Sequence, residues 1–197
     1  MLFREFCAKY GFFTKNASNA THLLMDGGML FVCNEKLVIF YKQYISAINN
    51  GEQIALIEKL GHNCKMRFFL DIDKTDKVDD IIAIANNVLG LNSPYIYVCS
   101  DSHGYHVVYN VEYTCDECIS ISKKIKQMLP SERQNCIDIS VYKTGIRMIY
   151  ADKISNGIWQ NRCYIPLGAQ KSDILTNNIF KYSIIRIKTI EFTPAIH

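Results

Sequence analysis

The stretch Met66-Arg-Phe-Phe-Leu-Asp-Ile-Asp73 places the tightest condition on the fold. Its apolar, aromatic-rich start reads as a β-strand bound for a core. It then ends in two aspartates separated by one isoleucine. Side chains alternate along a strand, so Asp71 and Asp73 share a face and Ile72 points the other way. Their Cα atoms stand about 6.5 Å apart, two rises of a strand. Like charges held that close beside apolar neighbours repel each other and lose hydration. A divalent cation relieves both penalties. Taken alone, Asp-x-Asp also fits a solvated strand end.

The rest of the chain alternates between strand and helix. Thr21 to Cys33 reads as two short strands around the turn Asp26-Gly27-Gly28. A helix follows, with Asn34 as N-cap, an apolar stripe of Leu37, Phe40, Tyr41, Tyr44 and Ile48, and Gly51 as its end. After the aspartates, Val78 to Gly90 is a helix with Asp79 and Asp80 in its first turn. Two strands joined by Asp101-Ser102-His103-Gly104 come next. Thr114 and Glu117 then form a capping box for a helix that ends before Pro130. Cys136–Tyr142 and Gly145–Ala151 read as strands, as do Arg162–Pro166 and Ser183–Ile190. This mixture predicts an α+β domain on a largely antiparallel sheet.

A length of 197 residues suits one domain of two parts, about 1–64 and about 65–197. No apolar run is long enough to span a bilayer, and the start has neither basic leader nor cleavage site. The expectation is an intracellular protein. Eight scattered cysteines then read as buried thiols of a reducing compartment. The net charge of +3 hides an asymmetry. Residues 1–118 hold ten Lys and Arg against fourteen Asp and Glu, and residues 119–197 hold twelve against five. Acidic and basic roles can therefore come from different halves of the chain.

Four further features carry chemistry. Asp138 follows a short apolar stretch, as a third carboxylate or as a turn residue. The hairpin Tyr95–Asn110 brings Gly104 and His106 to the start of its return strand; glycine there lets a ligand approach. Arg147 lies in a strand-like run and needs an anionic partner. Lys153 follows six residues on. A guanidinium and an ammonium together suit a triphosphate, and an ordinary salt bridge with an exposed lysine is the plainer account.

In this order the set resembles the archaeo-eukaryotic primase (AEP) superfamily, and within it the primase or primase-polymerase domains of large DNA viruses. The segments are FLDID (Asp71, Asp73), SDSHGYH (Ser100, Gly104, His106), DISVY (Asp138) and IRMIYADK (Arg147, Lys153), with THLLMDGGML upstream. The sequence departs from many relatives at Gly104, where they carry serine. Only Lys143 stands as a basic residue between Asp138 and Arg147.

The resemblance implies an RNA-recognition-motif-like catalytic sheet packed on an N-terminal α/β part. It implies that Asp71, Asp73 and Asp138 hold two divalent ions, Mg²⁺ or Mn²⁺. It implies that Ser100, Gly104, His106, Arg147 and Lys153 bind the incoming NTP or dNTP. The reaction would be template-directed nucleotidyl transfer on single-stranded DNA, priming DNA replication. A replicative helicase in cis or in trans is the implied partner, with no membrane; a viral protein would work at replication sites in host cytoplasm or nucleus. Zinc is not expected, because Cys115 and Cys118 stand three apart in a helix and read as buried thiols. Lys123, Lys124, Lys126, Arg162, Lys171, Arg186 and Lys188 are candidates for template phosphates or plain solvated surface. Tyr41 and Tyr44 fit the core at their helical spacing. The alternatives are an inactive single-stranded nucleic-acid-binding module of the same fold, or a metal-dependent nuclease.

Overall fold

The computed structural model describes residues 1–59, 65–92, 94–99, 104–168, 179 and 183–184, with backbone only for 95–99. Helix α1 (Phe3–Lys9) opens the chain and buries Phe3, Phe6 and Cys7. Seven residues make barely two turns, too few for periodicity to announce a helix. Its free N-terminal donors find Glu52, whose carboxylate accepts from Phe3 N at 2.9 and 3.0 Å. Strands β1 (Phe13–Thr14), β2 (His22–Leu24) and β3 (Met29–Leu30) follow. The turn between β2 and β3 uses Gly27 and Gly28 at φ +102° and +133°, where a side chain would be strained.

Helix α2 (Asn34–Asn49) buries all five residues of its expected stripe. It starts one position earlier than the sequence suggests: Cys33 is the extended N-cap residue and Asn34 is the first helical one. Strand β4 (Leu56–Glu58) returns antiparallel to β2.

The second part begins with β5 (Met66–Asp73), α3 (Val78–Leu89), β6 (Tyr95–Cys99), β7 (Gly104–Tyr113) and α4 (Cys115–Met128). A 3₁₀ turn at Ser131–Cys136 leads to β8 (Ile137–Asp138). The succession is β-α-β-β-α-β, and the strands lie in the order β6-β7-β5-β8 with every neighbour antiparallel. That is the split βαβ arrangement of RNA-recognition-motif sheets, as expected. Helices α3 and α4 pack on each other, and α4 packs on β5 and β7. Gly90 ends α3 in the left-handed region at φ +67°, and the Thr114–Glu117 box caps α4.

The central strand explains its own composition. Its register with β7 slips between Arg67 and Phe69, so a bulge interrupts strict alternation. Phe68, Phe69 and Leu70 are consequently all buried in succession, while Asp71 and Asp73 are not.

Two expected strands are corrected. Cys136–Tyr142 is strand only at Ile137–Asp138, and the chain then coils into α5 (Val141–Thr144). The Asp138 carboxylate ends the strand by accepting from Ser140 N at 2.7 Å and Ser140 Oγ at 3.0 Å. The coil turns Tyr142 inward, where its hydroxyl donates to the Phe69 carbonyl. Gly145–Ala151 is strand only at β9 (Ile146–Arg147), because Tyr150 takes a positive φ of 64°. The hairpin β10 (Ile154–Ser155) and β11 (Ile158–Trp159) follows, and β12 (Tyr164–Pro166) pairs with β6 as an expected strand. The loop Ser100–His103 lies outside the described residues, as does Ser183–Ile190 apart from Ser183 and Ile184.

The other sheet runs β1-β3-β2-β4-β9, so a strand from late in the chain completes the sheet of the N-terminal part. Behind that seam Glu58 is 2% exposed. It accepts from Tyr41 Oη and Ser183 Oγ at 2.5 Å each and from Ile184 N at 2.8 Å. Burial raises its pKa. One hydrophobic cluster draws on both sheets and their helices. No helix among the described residues is long and apolar enough to cross a membrane.

Candidate active site

Strand β5 lies between β7 and β8, and register decides what its acidic end meets. Asp71 stands opposite His106 on one side and Asp138 on the other; Asp73 stands opposite Gly104. Residues directly opposite in an antiparallel pair share a face. The three carboxylates expected from the sequence therefore gather on one side of one sheet. Gly104 leaves room there: a Cβ on it would come within 3.0 Å of both Asp73 Oδ1 and Tyr164 Oη.

Arg147 arrives from the other sheet, on β9, opposite Ile57. Between the two sheets opens a cleft of about 570 Å³, lined by Asp71, Asp73 and Asp138 and by Lys74, Arg147, Lys153, Arg162 and Tyr164. Tyr164 organises one wall. Its ring stacks on His106 at 3.5 Å between centroids, and the Arg147 guanidinium lies 4.8 Å from its centre. Arg147 Nη1 also donates to the Arg162 carbonyl at 2.9 Å. Lys153 and Arg162 are set by Asp152, whose Oδ1 accepts the N–H of both, at 2.8 and 2.6 Å.

The acids are not equivalent. Burial, then the charges of Asp73 and Asp138, push the Asp71 carboxyl up to about 7, with Arg147 and Lys153 pulling the other way. Its Oδ1 is buried and lacks a hydrogen-bond partner. His106 Nε2 stands 3.5 Å from that oxygen, at the outer limit of contact. Burial, aided by Arg147, holds the His106 imidazole well below its ordinary pKa, so it is neutral and forms no ion pair with Asp71. Asp138 has both oxygens engaged by Ser140.

Among the described residues no three His, Cys, Asp or Glu side chains are grouped so that they could hold a metal ion by themselves. Mg²⁺ and Mn²⁺ do not need such a group, since these ions keep waters and share substrate phosphates. A partnerless buried carboxylate oxygen, with two further carboxylates on the same face, fits that mode.

The structure thus brings together Asp71, Asp73, Asp138, Gly104, Arg147 and Lys153. His106 is 2% exposed and sits beneath Tyr164 rather than on the cleft wall. Ser100 lies outside the described residues. Lys74 and Tyr164 join the site without having been singled out in the sequence; Lys74 directly follows the second aspartate, which is the signal that could have found it. Arg162, a candidate template contact, lines the cleft. Lys126 donates to the Ile137 carbonyl at 3.1 Å instead. Cys118 is buried, its thiol pushed up to about 12 by burial, and the Cys115 thiol donates to the Tyr142 carbonyl at 3.4 Å. Tyr41 and Tyr44 are core residues.

The family described as the C962R protein N-terminal AEP domain matches residues 21–165. That span runs from just before β2 into β12 and includes every residue lining the cleft. No curated protein matches the chain.

Proposed function

The chain belongs to the C962R N-terminal AEP domain family, of the viral primase type, and from this premise we propose that it is a primase or primase-polymerase acting on single-stranded DNA. The family supports primase-like nucleotidyl transfer; the specific activity is our reading. The observation that carries it is the register pairing of Asp71 with Asp138, with Asp73 on the same face and Arg147 and Lys153 on the facing wall.

In this reading Asp71, Asp73 and Asp138 hold Mg²⁺ or Mn²⁺. Such ions offset the charge of the phosphates and make the attacking hydroxyl more acidic. The 3′-hydroxyl of a growing strand attacks the α-phosphorus of the incoming nucleotide. The bond from that phosphorus to the bridging oxygen breaks, and pyrophosphate leaves. Arg147 offers a planar fork of donors to the triphosphate, and Lys153 a compact charge. Ser100 and Gly104 complete the nucleotide site, and His106, a neutral imidazole stacked beneath Tyr164, supports it by holding that ring. Positioning and electrostatics do most of the work, with no covalent enzyme intermediate. The partners are template, NTP or dNTP, and a replicative helicase in cis or in trans, all in DNA replication.

An inactive binder of nucleic acid gains nothing from three aspartates beside phosphate. A nuclease needs no triphosphate clamp. One assay separates the three: single-stranded template, labelled nucleotides and Mg²⁺ or Mn²⁺. Extended products are expected. Binding without extension, or shortened template, would overturn the reading.

A further inference from the structure

Residues 153–162 leave the body of the protein as a two-stranded ribbon. Strands β10 and β11 pair with each other, Ile154 opposite Trp159 and Ser155 opposite Ile158. Asn156 and Gly157 make the turn, both at positive φ (52° and 76°), as a type I′ hairpin requires. The root is closed by hydrogen bonds. Asp152, 7% exposed, accepts from the N–H of Lys153 and of Arg162. Gln160 N donates to the Lys153 carbonyl at 2.9 Å.

This ribbon carries more apolar surface than it can bury. Ile158 is 65% exposed on one face. Ile154 and Trp159 share the other face, both half-buried. A lone hairpin is marginally stable in water, so a tryptophan that it only half buries calls for a partner. The ribbon's charge points to which one. From Lys153 to Arg162 there is no acidic residue, and both cations line the cleft that holds Asp71, Asp73 and Asp138. Trp159 does not line that cleft. It is placed for something longer than a nucleotide, reaching out of the site.

We propose that this ribbon is the arm on which a single-stranded polynucleotide lies, with a phosphate at Arg162 and a base stacked on Trp159, on the face that it shares with Ile154. The proposal rests on reading the chain as a template-directed nucleotidyltransferase, and it adds the element that holds the strand. Lys153, at the other end of the root, remains with the nucleotide. Base stacking on an aromatic ring beside a positive track is the usual means of holding single strands without sequence preference.

Trp159 is the one tryptophan in the chain, so its emission reports on the arm alone. The test titrates the whole protein with an oligothymidylate, without nucleotide or metal, reading tryptophan emission and the anisotropy of the labelled oligonucleotide together. Saturable quenching is expected, with the same midpoint as the anisotropy and weakening as salt rises. Trp159→Ala, checked for folding by circular dichroism, should weaken oligonucleotide binding about fivefold or more, whereas Ile158→Ser on the opposite face should not, and both should leave the KM for nucleotide unchanged. Oligonucleotide binding with unaltered emission, undiminished in Trp159→Ala, would overturn the arm while leaving the enzymatic reading intact. Emission that changes with protein concentration instead, with a matching dimer in sedimentation, would overturn it in favour of a second copy of this chain. Quenching in a protein that never extends primers would sink the enzymatic reading and leave the arm standing.

Discussion

Asp71 and Asp138 stand directly opposite each other on neighbouring antiparallel strands, 67 positions apart in sequence and paired in register. Each faces a different constraint. Asp71 has a buried oxygen with no hydrogen-bond partner, whereas both Asp138 oxygens are taken by Ser140. The pair is therefore half-prepared: one carboxylate is oriented by its own turn, and the other is held beside it under electrostatic strain.

Removing the acids should separate activity from folding. Asp71→Ala and Asp73→Ala are each expected to reduce nucleotide incorporation about a thousandfold or more, as loss of several kcal/mol of charge stabilisation implies. Primer extension measures this, with thermal melting as the folding control. A double variant that still makes primers would remove both residues from the site.

The strain on Asp71 has a sign. Its folded pKa of about 7 lies above its unfolded value, so the folded state binds the extra proton. That contribution is fully present below about pH 4 and is lost as pH rises through 7. In a chelator, Asp71→Asn should therefore be more stable than the wild type at pH 8, by roughly 2–4 kcal/mol, and no more stable at pH 4. Denaturant melts of the two proteins across that range check it. Added Mg²⁺ should raise the wild-type midpoint at pH 8 more than that of the variant.

Arg147 should act on nucleotide binding. Arg147→Ala is expected to raise the KM for nucleotide about tenfold or more, with a smaller effect on kcat. Arg147→Lys should restore little of this. It keeps a charge but loses the flat group that lies over Tyr164 and the fork that suits phosphate. Steady-state kinetics decide, and an unchanged nucleotide dependence would take Arg147 out of the site.

Gly145 should be needed for the fold rather than for the chemistry. It has φ +95°, and a Cβ there would collide with the Glu58 carbonyl oxygen and stand 2.7 Å from Ile57 Cγ2. Gly145→Ala is expected to cost about 3 kcal/mol or more of stability. Because Gly145 leads directly into β9, the loosened pairing with β4 should also weaken nucleotide binding. A wild-type melting curve for this variant would show that the close approach is not what holds β9.

Much of the architecture was legible where local chemistry is strong. The stripe of α2, the glycine end of α3 and the capping box of α4 each rest on interactions between residues a few positions apart. So does the placing of Asp71 and Asp73 on one face, which needs only the alternation of a strand. The short pieces were not legible. The stretch after Asp138 has strand-forming residues, yet Ser140 bonding and the inward pull of Tyr142 coil it into α5. Helix α1 depends on Glu52, in the segment after α2. The β10–β11 hairpin carried a readable signal, Asn156-Gly157, but its flanking strands are two residues each.

What the sequence determined by itself was the inventory and its local geometry: three acids, the cations and a family of fold. What only the tertiary structure decided was their company. Strand register set Asp138 beside Asp71, a pairing no local pattern encodes. Crossing from one sheet to the other carried Arg147 to the facing wall, and the stack of His106, Tyr164 and Arg147 built that wall. The physical reason is that alternation and capping act over a few residues. Register and burial act between segments that meet only when the core closes, and there the charges of Asp71 and Arg147 first feel each other.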